Sequence, residues 1–225
     1  MLASCTKGAF AHYKSVGISA LANIETSLRE AHRNFEGIES CLDFASGYGR
    51  VTRALLTKIP ASKITAADID REAVQFCSSE FGTKPLFGHF NFNEISFPEE
   101  YDLIWAGSLL THLPPPSCVQ LLKTLRGVLK ARGLLIFSTH GESCLEQSLE
   151  SNHQCKTLQT YTGRLLREGV CYIARDPLGY YGTTLHSTPY IKKLLHEKFS
   201  KALRFVRFSK RGWDNHQDVW SYQKI

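Results

Sequence analysis

Apolar side chains recur at Val16, Ile18, Leu21, Ile24 and Leu28, a near-helical spacing that predicts an amphipathic helix over residues 13–31. The run ESCLDF, residues 39–44, predicts a buried strand. Residues 48–59 then predict a helix with Val51, Leu55 and Leu56 on one face, stopped by Pro60. The alternation continues with a strand at 63–68 (KITAAD) and a helix at 71–81 that Gly82 is placed to end. A short strand near 85–90, a strand at 101–106 (YDLIWA), a helix at 118–130 and a strand at 133–139 (GLLIFST) follow. Strands that are continuous apolar runs, separated by helices, predict a parallel sheet covered on both faces. The pattern breaks after Gly141. Residues 142–185 hold one helical segment near 157–167 and then the aromatic stretch GVCYIARDPLGYYGTTLH, to which no regular element is assigned. A helix at 188–199 precedes ALRFVRF and DVWSYQKI, which have no helix between them and so predict an antiparallel pair. With no repeat or linker, the chain reads as a single domain over 1–225, with an N-terminal helical segment at 1–38 and a lid-like insertion at 142–187 after the fifth strand.

Composition narrows this little. The 225 residues are 43% hydrophobic and 21% charged, ordinary for a soluble globular protein. No apolar run approaches the ~20 residues of a membrane span. The first residues, MLASCTKGAFAHYK, lack a basic segment followed by an apolar core, so the expectation is no secretion signal and a cytoplasmic protein. Seven cysteines, odd in number and without a CxxC pair, argue against a disulfide framework or zinc site and for buried thiols. No metal is expected. The net charge of +6 is compatible with an anionic partner, but the basic cluster at 192–211 lies among apolar residues and reads as a solvated face.

The chemistry concentrates in LDFASGYGR, where the first strand meets its helix. Ligands of open parallel sheets bind beyond the carboxyl ends of the strands, at the switch point. Gly47 and Gly49 allow a sharp turn and close approach of backbone to a ligand. No GK[ST] follows, which excludes a phosphate loop, and AxGxG departs from the dinucleotide pattern at Ala45. Asp43, just before the loop, suits a ligand with a free ammonium group. Asp68, closing the next strand 25 residues on, can accept hydrogen bonds from both hydroxyls of a ribose. Ammonium and ribose together describe S-adenosylmethionine.

The ordered runs LDFASGYGR, ITAADIDREAV, YDLIWAGSLLTHL and GLLIFSTHG resemble the motifs of class I S-adenosylmethionine-dependent methyltransferases from about residue 39 to 225. More narrowly, DFxxGxGR, DLIWxGSLLTHL, a late GYG-type turn (LGYYG, 178–182) and WDNHQD (213–218) resemble a bacterial-type subgroup of them. The resemblance implies a Rossmann-like α/β fold: a seven-stranded, mostly parallel sheet with an antiparallel last strand and helices on both faces. It implies that Asp43, Gly47 and Gly49 belong to the first cofactor motif, with Ala45 and Ser46 facing the methionine end. Ala45 stands where relatives carry glycine and fits if its φ is negative. Asp68 would hold the ribose, Ile69 or Asp70 would lie beside the adenine, Asn91 would bind the adenine amino group and Phe92 would lie against the base. Asp70 reads equally as a helix N-cap. Gly107 and Ser108 would pass under the methyl donor.

The product would be S-adenosylhomocysteine. An oxygen acceptor needs a base, and His112, His140 and His186 are the candidates. Tyr180, Tyr181, Trp213 and His216 are candidate acceptor contacts, although the tyrosines also read as core and Trp213 as a hairpin anchor. The leading expectation is transfer of a methyl group to O or N of a small-molecule or sugar-type acceptor. The alternatives are an RNA or protein methyltransferase and a non-catalytic cofactor-binding partner subunit. The absent GxGxxG and the antiparallel end count against a dehydrogenase.

Overall fold

Alternate residues of the same strands supply the two faces of a central sheet. The computed structural model describes residues 7–151 and 156–225; Cys5 and Cys155 lie outside the described residues. In chain order the elements are α1 (Lys7–Glu30), β1 (Cys41–Phe44), α2 (Arg50–Leu55), β2 (Ile64–Asp68), α3 (Arg71–Phe81), β3 (Lys84–Phe87), β4 (Tyr101–Ala106), α4 (Pro115–Gly127) and β5 (Leu129–Thr139). Then come α5 (Glu142–Ser151), α6 (Lys156–Glu168), β6 (Val170–Ala174), β7 (Gly182–His186), α7 (Thr188–Phe199), β8 (Leu203–Trp213) and β9 (Gln217–Lys224). The sheet order is β3-β2-β1-β4-β5-β9-β8. Only β9 runs against its neighbours, antiparallel to both β5 and β8. The seven-stranded, mostly parallel sheet with an antiparallel last strand is as expected.

The apolar runs divide by period two, as buried strands must. Leu103, Trp105, Leu134 and Ile136 pack with α1 residues Ala20, Ile24 and Leu28 on one face. Ile104, Leu135 and Phe137 pack with Leu121 and Leu125 of α4 and Ile191 and Leu195 of α7 on the other. Local signals set several helix ends. Asp70 accepts hydrogen bonds from the N–H groups of Glu72 and Ala73, capping α3, and Gly82 ends it at φ 71°. α4 starts at Pro115, earlier than the periodicity placed it, because proline is tolerated in a first turn whose N–H groups lack helical partners.

The insertion is more regular than its sequence. Residues 142–151 form a helix that the pattern did not show, and the aromatic stretch is an antiparallel hairpin, β6–β7. Cys144, Leu145, Leu165, Cys171 and Leu185 give it a small core of its own. Backbone bonds stitch the hairpin to the main sheet's carboxyl edge: Gly182 N–H donates to His112 O, Thr184 N–H to Thr111 O, and His186 N–H to His140 O, at 2.8–2.9 Å. Among the described residues, no helix is long and apolar enough to cross a membrane.

Candidate functional site

β1 is the switch point: the chain passes from it to β2 on one side and later to β4 on the other. Two adjoining cavities open at the carboxyl ends of these strands. The inner one, about 410 Å³, is lined by Asp43, Ser46, Gly47, Tyr13 and Trp213. The outer one, about 340 Å³, is lined by Ile69, Phe90, Phe92, His112, Tyr180 and Tyr181. Ala45, Asp68, Gly107 and Ser108 line both.

Asp43 is 1% exposed, and its Oδ2 accepts the Thr52 hydroxyl at 2.6 Å. Burial, only partly countered by Thr52, pushes its pKa from 3.8 up to about 6, with the neighbouring charge of Asp68 adding to the rise. Among the described residues Asp43 has no ion pair: Arg50, which lines the same cavity, lies over the Tyr13 ring at 5.1 Å, and a buried carboxylate without a paired cation is electrostatically incomplete. Asp68 is oriented by two backbone donors, Gly47 N–H to Oδ2 at 2.8 Å and Asp70 N–H to Oδ1 at 2.9 Å. Each of its oxygens keeps acceptor capacity toward the cavities.

The loop between β1 and α2 departs from expectation at Ala45. Its φ is +64°, not negative, a left-handed conformation that costs an alanine about 1–2 kcal/mol. Gly47, at φ +50°, has open space where a Cβ would point. Gly49 does not line either cavity. It turns the chain into α2 at φ +75°, and a Cβ there would lie 2.5 Å from Phe81, so its role is to shape the loop. Ser46 holds the turn by donating its N–H to Ala67 O and accepting from Gly49 N–H.

Beyond β4, Gly107 passes between two indoles, where a Cβ would fall 2.6 Å from Trp105 Nε1 and 2.8 Å from Trp213. Ser108, at φ +58°, donates its N–H to Ser138 Oγ at 2.7 Å. Ser138 Oγ–H donates to Gln217 Oε1, whose amide donates to Ser108 Oγ at 3.0 Å. This closed ring of bonds fixes the backbone where the cavities meet. Gln217 was missed because a single glutamine at a strand start carries no motif.

The remaining expected residues separate. Ile69 and Phe92 line the outer cavity. Asn91 does not: its Oδ1 accepts from Asn93 N–H and from the Gln120 amide, and its amide donates to Glu94. An asparagine that caps a 3-10 turn has no carbonyl left for a base. Phe90, one residue earlier and 66% exposed, lines the cavity instead; an aromatic in the polar run GHFNFNE was the available signal.

Tyr180 and Tyr181 are brought over the outer cavity by the β6–β7 turn, which Asp176 ties by accepting from Leu178 and Tyr181 N–H groups. Tyr180 meets Phe90 at 5.6 Å, and Tyr181 stacks on His112 at 4.7 Å and 15°. His112 Nδ1 lies 2.9 Å from Gly182 O. A carbonyl only accepts, so Nδ1 carries the proton and the neutral ring keeps its Nε2 lone pair.

The other histidines are placed differently. His186 is 1% exposed, with Nε2 4.0 Å from Cys118 Sγ and Nδ1 without a partner, and burial pushes its pKa down to about 3. It packs beneath α4 and α7 because β7 ends inside the protein, so it lines neither cavity. His140 also lies outside them, its pKa lowered to about 4 by burial and by His216, His112 and Arg175. His216 sits exposed in the β8–β9 turn, edge-on to His140. Trp213 anchors that hairpin: its Nε1–H donates to Val16 O at 2.9 Å, and its ring crosses Trp105. It walls the inner cavity rather than the outer one.

Known proteins share this construction. Residues 41–133 match a family model described as a methyltransferase domain. Human N-terminal Xaa-Pro-Lys N-methyltransferase 1 is 23% identical over 177 residues, covering 75% of this chain and 78% of that protein. A S-adenosylmethionine-dependent methyltransferase from Clostridium acetobutylicum superposes with a TM-score of 0.61 at 15% identity, covering 94% of this chain and 91% of that one. The N-methyltransferase NodS from Bradyrhizobium japonicum, in complex with S-adenosyl-L-homocysteine, gives 0.55 at 10% identity, covering 97% and 88%. The chain therefore has the fold of these S-adenosylmethionine-dependent methyltransferases, and residues 41–133 resemble a methyltransferase domain.

Proposed function

We propose that the chain is an S-adenosylmethionine-dependent methyltransferase that modifies O or N of a small-molecule or sugar-type acceptor. The residues present fit the cofactor. Asp43 is a buried acid with no ion pair among the described residues, which an α-ammonium would supply. Asp68 is a preoriented acceptor for a ribose diol. Ile69 and Phe90 offer exposed apolar surface for an adenine. When bound, the cofactor supplies a methyl group already activated by its sulfonium.

The chain's own residues then have three tasks. The Ser108–Gln217–Ser138 ring holds the floor of the cleft in one geometry, which matters because acceptor alignment within about 3–3.5 Å contributes much of the rate. The β6–β7 turn roofs the outer cavity and excludes water. His112 Nε2 can take a proton from an acceptor hydroxyl, with the ring steadied by Gly182 O and Tyr181.

The observation that carries the small-acceptor reading is the aromatic roof, Tyr180 on Phe90 and Tyr181 on His112, over the outer cavity, whose Asp68, Ile69 and Phe90 side the cofactor would fill and whose His112 side would be left to the acceptor. The human relative favours a second reading, a protein N-terminal amine as acceptor. Methyl-transfer assays with panels of small hydroxyl and amine compounds and of peptides with free N-termini decide between them. Small-molecule turnover that collapses in Tyr181→Ala while S-adenosylhomocysteine affinity stays within a few-fold supports the first. Turnover restricted to peptides supports the second. Binding that falls steeply with salt in the presence of RNA would replace both.

A further inference from the structure

The end of β5, the first turn of α5 and the β8–β9 turn bring three metal-binding side chains together outside the cleft. Ligand atoms of His140, Cys144 and His216 all lie within 4.8 Å of one another. Cys144 Sγ is 3.9 Å from His216 Nδ1 and 4.0 Å from its Nε2, and the two imidazoles meet edge to face at 5.2 Å. Only the insertion of β9 beside β5 creates this group, because His216 stands 72 residues from Cys144. One carboxylate stands beside it: Asp218 is packed so closely on Gly141 that a Cβ there would fall 2.0 Å from its Oδ2, and its Oδ1 accepts from Arg211 N–H at 2.8 Å. Gln147 Oε1 lies 3.2 Å from His216 Nδ1, a partner for that nitrogen when Nε2 binds the metal.

We propose that His140, Cys144 and His216 bind one transition-metal ion of the zinc class. Two imidazoles and a thiolate form a borderline-soft donor set that selects zinc over magnesium or calcium, which take oxygen ligands. Metal–sulfur and metal–nitrogen bonds of about 2.3 and 2.0–2.1 Å imply ligand separations of about 3.3–3.6 Å in a tetrahedron. The three atoms must therefore draw in by up to roughly 1.5 Å, and His216, exposed on a turn, would supply most of that movement. On binding, the Cys144 thiol releases its proton to water, its hydrogen bond to His216 O is given up, and the sulfur–metal bond forms. Water takes the fourth position. The ion would clasp the β8–β9 turn to the start of α5, next to Gln217 and the ring of bonds under the cleft.

Cobalt is the probe. The full chain, stripped with chelator, is titrated with Co²⁺ and then with Zn²⁺. The expected result is one equivalent bound, with the intense visible absorption of a four-coordinate site and a near-ultraviolet thiolate charge-transfer band, both removed by Zn²⁺ but not by Mg²⁺. Cys144→Ser should abolish the charge-transfer band. Loss of an outer partner of a metal site costs roughly 10–100-fold, so His216→Ala, which loses a ligand, should weaken binding at least about a hundredfold. Zn²⁺ should also raise the thermal midpoint of the wild type and not of His216→Ala. No saturable binding overturns the proposal, as does a weak octahedral spectrum unchanged in both variants. If Cys144→Ser fails to fold, His216→Ala, altered on an exposed turn, decides alone. None of these readouts needs the cofactor, so they stand or fall apart from the proposed reaction.

Discussion

On the proposed contact between Asp43 and the cofactor's α-ammonium, protonation is linked to cofactor binding, and the link can be calculated. Its carboxyl titrates near 6 in the free protein, because burial opposes its charge. A bound α-ammonium would hold it ionised, so binding must first strip its proton when the pH is below about 6. S-adenosylhomocysteine keeps its own ammonium protonated up to about pH 8. Its affinity should therefore be nearly flat from pH 7.5 to 6.5 and about tenfold weaker at pH 5, a change of about 1.4 kcal/mol.

Folding carries the opposite sign. A folded-state pKa raised from 3.8 to about 6 means that the folded protein binds the proton more tightly. Stability from this group is thus fullest below about pH 4 and is lost as the pH rises through 6, by up to about 3 kcal/mol. Asp43→Asn keeps an acceptor for Thr52 and removes the charge. At pH 7.5 the ligand-free variant should melt a few degrees higher than wild type. It should bind S-adenosylhomocysteine about 10–150-fold more weakly, the loss of a charged hydrogen bond worth about 1.5–3 kcal/mol, with no pH dependence between 5 and 7.5. Calorimetry in buffers of different ionisation enthalpy would also read the released proton. A wild-type affinity independent of pH over this range, or a variant that binds as well as wild type, refutes the assignment of Asp43 to the ammonium.

Other expectations are more local. Asp68→Ala should weaken S-adenosylhomocysteine binding by about 1.5–3 kcal/mol, whereas Asp70→Ala should leave calorimetric affinity within a few-fold and lower urea-unfolding stability by about 1 kcal/mol, as for a lost cap. Ala45→Gly relieves about 1–2 kcal/mol of left-handed strain against about 0.5–1 kcal/mol of added chain freedom, so denaturant titration should show a net gain of up to about 1 kcal/mol. Gly107→Ala forces a methyl between Trp105 and Trp213 and should cost about 1–3 kcal/mol, read in the same titration. For an oxygen acceptor, His112→Asn should lower kcat by about 10²–10⁴-fold with cofactor affinity preserved, while His186→Asn should leave the rise of rate with pH unchanged.

The sheet was legible because its strands are buried on both faces and several helices begin or end on strong local signals, Asp70 and Gly82 among them; the helix expected to run to Pro60 instead ends at Leu55. Asp43 and Asp68 were legible for a related reason: an acid at the end of an apolar run has no packing role to explain it. The insertion was not. Residues 142–151 rest on a small separate core rather than a long apolar stripe, and the β6–β7 hairpin takes its register from bonds to His112, Thr111 and His140, which no local pattern records. The histidines show the same limit. His112, His140, His186 and His216 lie near strand or hairpin ends in sequence, yet of these four only His112 lines the cleft, where its carbonyl partner and stacking tyrosine come from a distant loop. Asn91 failed because its neighbours Asn93, Glu94 and Gln120 claimed its amide first.

The position of β9 bears on how the protein is made. β9 follows both of its neighbours in the chain yet occupies an interior slot, between β5 and β8. Until residues 217–224 are available, β5 presents Leu134, Leu135, Ile136 and Phe137 along an unpaired edge, a template for pairing with other chains. The pairs that join β9 to β5, from Leu134 with Gln223 to Thr139 with Asp218, are distant in sequence, which slows folding. A growing chain of this design is therefore most exposed to aggregation just before its synthesis reaches β9, and the floor of the cleft, through Gln217, is assembled in the same final step as the sheet.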